Sequence, residues 1–169
     1  MGEYKDLYSQ EAVEKLKEVC EKIRVCMFCT DLHKIPMNTR PMAVQEVDEE
    51  GNVWFISSLT SNKNIEIGEF NRVHLIFSDA GDSKFISLYG EATVYTDRAT
   101  IEDKWSPMAK AWFEDGKDDP DVTIIRVTPV NAYYWDTQDG KMISLIKVAA
   151  SAITGKTHMD GSVEGNINV

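Results

Sequence analysis

Arg40 opens the run Arg40-Pro41-Met42-Ala43-Val44. Strand side chains alternate with period two, so Arg40, Met42 and Val44 share one face of any strand formed here. A guanidinium in line with two apolar side chains is costly unless a fixed anion meets it. Further on, Ser61-Asn62-Lys63 begins a helical pattern. Free backbone N–H groups and the helix dipole at such a start favour a phosphate, and hydroxyls and a cation add to that. Between the two lies Val53-Trp54-Phe55-Ile56-Ser57, apolar on both faces, with Val53 and Phe55 on one and Trp54 and Ile56 on the other. That suits a strand buried between a core and something else that excludes water. The chemistry of residues 40–63 is therefore that of a site for a phosphate-bearing planar ligand lying along a hairpin. The bland alternatives are surface ion pairs for Arg40 and Lys63 and a simple helix cap for Ser61.

The elements that must position these groups follow from periodicity. Ser9 caps a helix to residue 24, with Ala12, Val13, Leu16, Val19, Cys20 and Ile23 as its apolar stripe. Strands are expected over 25–30, 39–47, 53–58, 72–78, 84–95 and 122–135, the last bent at Pro129. A tight turn at 48–52 joins the second and third, and a short helix covers 62–69. Gly90 inside a strand pattern marks a bulge or a close backbone approach. Residues 97–113 read as helix interrupted at Ser106-Pro107, followed by an acidic loop over 114–120. Met142, Leu145, Ile146, Ala149 and Ile153 fall at helical spacing and stop at Gly155. The expectation is one domain over 1–155 and a polar tail over 156–169, disordered or laid against a partner.

Hairpins dominate these connections, which predicts a mainly β fold with peripheral helices (α+β): an antiparallel barrel, and not a doubly wound parallel sheet. No Gly-x-Gly-x-x-Gly or Gly-x-x-x-x-Gly-Lys motif occurs, so neither a Rossmann nor a P-loop site is indicated.

With 18 Lys plus Arg against 28 Asp plus Glu among 169 residues, the formal net charge is −10. That field and the lack of a basic run argue against nucleic acid and anionic membrane as partners. The N-terminus is too polar for a signal peptide and no apolar stretch approaches spanning length, so the expected address is cytoplasmic. Cys20, Cys26 and Cys29 are an odd set. Cys26 and Cys29 fit a Cys-x-x-Cys spacing, but an i, i+3 pair in a strand points to opposite faces. They are expected to be buried apolar cysteines, with no metal bound.

The motifs Arg40-Pro41-Met42, Val53-Trp54-Phe55-Ile56-Ser57 and Ser61-Asn62-Lys63 resemble the flavin mononucleotide (FMN) site of the pyridoxamine 5'-phosphate oxidase-like split barrels. The later run 112–120, from Trp112 to Pro120, and Tyr134-Trp135-Asp136 resemble the general stress protein 26 branch. The resemblance spans residues 13–155 and implies an antiparallel six-stranded split β-barrel of FMN-binding type, forming a homodimer with FMN at its interface. It implies that Arg40 and Lys63 bind the phosphate, with Ser61 and Asn62 helping, next to Pro41 and Met42. Phe55, Ile56 and Ser57 would line the isoalloxazine, with the strand backbone bonding its polar edge. Trp112 and Trp135 would cover the ring or a small-molecule substrate, although tryptophans are more often core or interface anchors.

Two departures matter. Asn62 stands where the oxidases tend to have a second basic residue, and no Arg-x-His substrate segment follows Trp135. The resemblance thus implies an FMN-dependent oxidoreductase of unknown substrate and not a true pyridoxamine phosphate oxidase. The alternatives are a flavin-storing stress protein and, by fold analogy, a deazaflavin or haem binder. No catalytic residue is indicated.

Overall fold

A computed structural model describes residues 3–5, 7–137 and 162–168. Helix α1 (Ser9–Ile23) follows two short strands, β1 (Glu3–Tyr4) and β2 (Leu7–Tyr8), and buries Ala12, Val13, Leu16, Val19 and Cys20. It stops at Arg24, whose φ of 63° is left-handed and whose N–H bonds to the Cys20 carbonyl at 2.8 Å. That is the usual way to satisfy a last-turn carbonyl.

Six antiparallel strands then close a barrel: β3 (Val25–Thr30), β4 (Asn38–Val47), β5 (Val53–Ser58), β6 (Arg72–Asp79), β7 (Lys84–Tyr95) and β8 (Val122–Thr137). Their order is β8-β5-β4-β3-β6-β7, and β7 pairs with β8 to complete the ring. The interior holds Phe28, Phe55, Leu75, Phe77, Ile86 and Leu88, all at most 1% exposed, and α1 covers one side of this core. The β4–β5 turn is held by Asp48, whose carboxylate accepts from the backbone of Glu50 and Asn52 and from the Trp54 indole at 2.8–2.9 Å.

Gly90 supplies a close approach. The register of β7 on β8 shifts between Tyr89 and Gly90, and a Cβ at Gly90 would lie 2.5 Å from the Thr128 carbonyl oxygen. Pro129 sits opposite this irregularity, where its missing N–H is tolerated.

Two expectations change. The span 97–113 divides into helix α3 (Arg98–Lys104) and a 3₁₀ turn (Pro107–Ala111), separated by the extended Trp105. Asp97 caps the first by accepting from Thr100 N–H, and Ser106 caps the second with Pro107 next. Both cover a second cluster of Trp54, Ile101, Ala109, Phe113, Val122 and Ile124 on the outside of the barrel. The polar tail also contains structure. Residues Ser162–Asn168 form β9, antiparallel to the second half of β8 and parallel to β1 and β2. Its polar residues hid it: Ile167 is buried in the core, Val163 packs against it, and the backbone ladder does the rest. The helix expected at 142–153 lies outside the described residues.

Cys20, Cys26 and Cys29 are free and buried, with Cys26 inside the barrel core and Cys29 opposite Thr39 and His74. Burial pushes the Cys26 thiol up to about 12 and Cys20 well above its ordinary 9.0, which is the inert behaviour expected of apolar cysteines. No group of His, Cys, Asp and Glu that could hold a metal is found among the described residues. Among them, too, no helix is long and apolar enough to cross a membrane.

Candidate anion-binding site at the barrel mouth

The ladder between β4 and β5 is registered at Val47↔Val53, Glu46↔Trp54 and Val44↔Phe55. From Asn38 to Ala43, β4 runs instead with β3. The two strands therefore splay apart, and helix α2 (Asn62–Glu69) enters the opening with Ile67 buried in the core. A cavity of about 340 Å³ remains, lined by Asn38, Thr39, Arg40, Ser61, Asn62, Lys63 and Glu66.

The start of α2 is fixed by a polar relay. Ser57 Oγ donates to Asn64 Oδ1 at 2.8 Å, Asn64 Nδ2 donates to Thr123 Oγ1 at 2.8 Å, and Thr123 Oγ1 donates to the Ser57 carbonyl at 3.0 Å. Asp121 holds the preceding loop by accepting from the Ser58 hydroxyl and from Thr60 N–H, which keeps its carboxyl below the ordinary range. Ser61 occupies the cap position but makes no side-chain cap bond; its hydroxyl lies 3.2 Å from that of Ser57. The first-turn bonds that form are from Asn64 and Ile65 N–H to the Ser61 carbonyl. Asn62 and Lys63 N–H, at the helix start, cannot bond within it.

Two cations meet here. Arg40 donates through Nη1 to Thr30 Oγ1 and through Nη2 to Glu66 Oε2 at 2.7 Å. Glu66 is also held by the Thr30 hydroxyl and by Asn38 Nδ2, 2.8 Å from Oε1. The anion that the Arg40 pattern demands is thus, in part, a carboxylate of the chain itself. Lys63 differs: among the described residues it forms no ion pair. Burial first, and then the Arg40 guanidinium, hold its ammonium below the ordinary 10.5, against the opposing pull of Glu66 and Asp121. A half-buried ammonium with no ion-pair partner among the described residues, beside a guanidinium and a helix start, is a setting that would suit an anion.

Residues 11–160 match the family model described as pyridoxamine 5'-phosphate oxidase like. The chain belongs to the pyridoxamine 5'-phosphate oxidase-like family. Solved structures agree. A Jannaschia sp. CCS1 chain provisionally described as general stress protein 26 superposes with a TM-score of 0.73 at 24% identity, covering 95% of this chain and 96% of that one. The general stress FMN/FAD binding protein of Xanthomonas citri superposes at 0.64 with 28% identity over 74% of this chain and 87% of that one. Among curated proteins, protein bli-3 of Neurospora crassa is 28% identical over 127 residues, 70% of this chain; the chain spans only 61% of that protein's length.

The structure brings Arg40, Ser61, Asn62 and Lys63 together at one opening of this oxidase-like barrel. The other expected residues do not line this cavity. Pro41 is exposed on the outer face opposite Met27, and Met42 packs partly inward. Phe55 is 0% exposed in the barrel core, edge-on to Phe28, and Ile56 packs against the outer cluster. The Ser57 hydroxyl is engaged by Asn64. Around the opening, β5 therefore offers backbone and not side chains. Trp112 is 74% exposed beyond the 3₁₀ turn. Trp135 lies on the second half of β8, paired with Phe85 of β7, and does not line this opening. Trp135 instead lines an apolar groove of about 590 Å³ with Ile76, Phe85 and Ser87.

Sequence reasoning missed Glu66, Asn38, Thr30 and the Asn64–Thr123 relay. A signal existed for Glu66, which stands three residues after Lys63 and so on the same helix face.

Proposed function

We propose that this chain is a flavoprotein that holds FMN, with its phosphate on Arg40, Lys63 and the start of α2. The observation that carries this reading is Lys63, a half-buried cation in an open cavity with no counter-ion among the described residues. The family membership and the FMN/FAD-binding relative in Xanthomonas citri support it. From the phosphate the ring would run along the seam where β4 leaves β5. There residues 56–58 have no registered β4 neighbour, and the backbone groups they turn away from β8 would meet the polar edge of a flavin. When bound, the flavin supplies the redox chemistry, and the protein's part is to bind, orient and exclude water. The activity this favours is that of an FMN-dependent oxidoreductase acting on a small molecule.

A second copy completes the site. Val25, Met27 and Ile76 are 50%, 41% and 41% exposed on one face of β3 and β6, with Met27 and Ile76 directly opposite each other. Exposed apolar surface of this kind marks an interface. It runs from Pro41, beside the seam, toward the groove that holds Trp135. Neither Trp112 nor Trp135 lines the cavity of its own protomer, so either one covers the ring only from the partner subunit.

The test is titration with FMN and riboflavin, followed by quenching of flavin fluorescence. Micromolar FMN binds to the wild type. Arg40→Ala combined with Lys63→Ala weakens FMN by about a hundredfold or more, from two lost charge-assisted contacts, and leaves riboflavin nearly unchanged. Equal losses for both flavins would remove the phosphate from this pocket.

A further inference from the structure

Among the described residues that line this opening, Glu66 is the one whose charge opposes the ligand. Its carboxylate lines the same cavity as Lys63 and occupies Nη2 of Arg40 at 2.7 Å, leaving Thr30 on Nη1. It is not a flexible surface acid. Its side chain is 13% exposed and accepts from Thr30, from Asn38 and from Arg40, so strands β3 and β4 clamp it from the side opposite its own helix. The charged groups facing it are Arg40 from β4 and Lys63 on α2, with Asp31 and Lys34 of the loop after β3 joined to it through Asn38. The opening carries two cations and one anion before a ligand arrives.

Resting on the phosphate assignment above, we propose that Glu66 is a built-in competitor for the ligand phosphate. In the apoprotein it neutralises Arg40, which would otherwise be a partly buried charge facing apolar strand neighbours. In the complex a dianionic phosphate has to share Arg40 with it across a few ångströms, and like charges at that range repel. The same carboxylate thus lends stability to the empty protein and takes affinity away from the loaded one. Its consequence is an exchangeable cofactor: when the flavin leaves, Arg40 keeps its own carboxylate partner, and of the two cations lining the opening only Lys63 is left without one.

Glu66→Gln keeps the shape of the side chain and an oxygen for Asn38 while removing the charge. It should tighten FMN by about tenfold, leave riboflavin unchanged, and lower the melting temperature of the apoprotein but not of the FMN-loaded protein. Glu66→Asp, which withdraws the carboxylate by one methylene, should move FMN in the same direction by less, and serves should the amide variant not fold. Unchanged or weaker FMN binding in both variants, with riboflavin unaffected, would show that Glu66 merely orients Arg40 and would overturn the competitor role. Failure of the phosphate assignment looks different: the Arg40→Ala, Lys63→Ala pair then loses FMN and riboflavin alike.

Discussion

Asn64 Nδ2 donates to Thr123 Oγ1 at 2.8 Å and so ties the first turn of α2 to the strand that closes the barrel. The same amide accepts from Ser57, and Thr123 returns a bond to the Ser57 carbonyl. Three elements are pinned by one side chain. Asn64→Ala leaves the Ser57 hydroxyl and the buried Thr123 short of partners, which should cost about 1–3 kcal/mol of stability. Urea unfolding measures that cost. The α2 start should loosen with it, so FMN weakens while the folded baseline stays intact. An unchanged urea midpoint would mean that water replaces the amide.

Lys63 gives a pH dependence whose sign can be worked out. Its folded-state pKa is lowered from 10.5 by burial and by Arg40. In the apoprotein the charged form is the disfavoured one, so its contribution to stability grows as pH rises through the lowered value toward 10.5. A bound phosphate needs the charged form, so FMN affinity should fall over the same alkaline window. Lys63→Arg stays protonated there and should abolish the fall. FMN titrations across alkaline pH in both proteins decide it, and parallel curves would place the titrating group elsewhere.

Ile76 lies at the centre of the exposed apolar face, opposite Met27 and beside the Trp135 groove. Ile76→Asp puts a charge where a second copy is proposed to pack, and an unpaired buried charge is strongly unfavourable at an interface. Light scattering coupled to size exclusion should show the mass fall from dimer to monomer. FMN should weaken at the same time, because the ring loses its cover. A wild type that already runs as a monomer would remove the shared site.

Gly90 packs its Cα against backbone. Alanine there would place Cβ 2.5 Å from Thr128 O and 2.9 Å from Val127 Cγ1, and the first of these cannot swing aside. Gly90→Ala should therefore cost at least about 2 kcal/mol through overpacking and distortion of the β7–β8 ladder. Thermal unfolding measures it. A loss no larger than at an exposed strand position would mean that the register irregularity absorbs the methyl group.

The barrel was legible because its strands carry their own evidence. Val25–Thr30, Val53–Ser58 and Lys84–Tyr95 alternate or run apolar between turn residues and form where their patterns end. The Arg40 and Ser61-Asn62-Lys63 halves of the site were legible too, since each is locally odd for its element. What escaped the sequence depends on meetings between distant segments. Glu66 faces Arg40 only because α2 turns into the barrel mouth, and Asn64 reaches Thr123 only because β5 and β8 are neighbours. Phe55 shows where motif position says little about direction: the alternation of β5 sends its side chain into the core, so a ring would meet it through its backbone alone. The strand over Ser162–Asn168 was invisible because its stability is lent by backbone bonds to β8, to which hydropathy is blind.

The depth of the three cysteines has a practical consequence. Cys20 is shielded by the seat of α1 on the barrel, whereas Cys26 is enclosed by the barrel wall itself. A thiol reagent reaches the first when the helix lifts and the second only when strands part. Labelling rates at Cys20 and Cys26, followed by mass spectrometry, would therefore act as two clocks in one molecule, one for peripheral breathing and one for global opening. Run with and without flavin, they would show which of the two motions the ligand restrains.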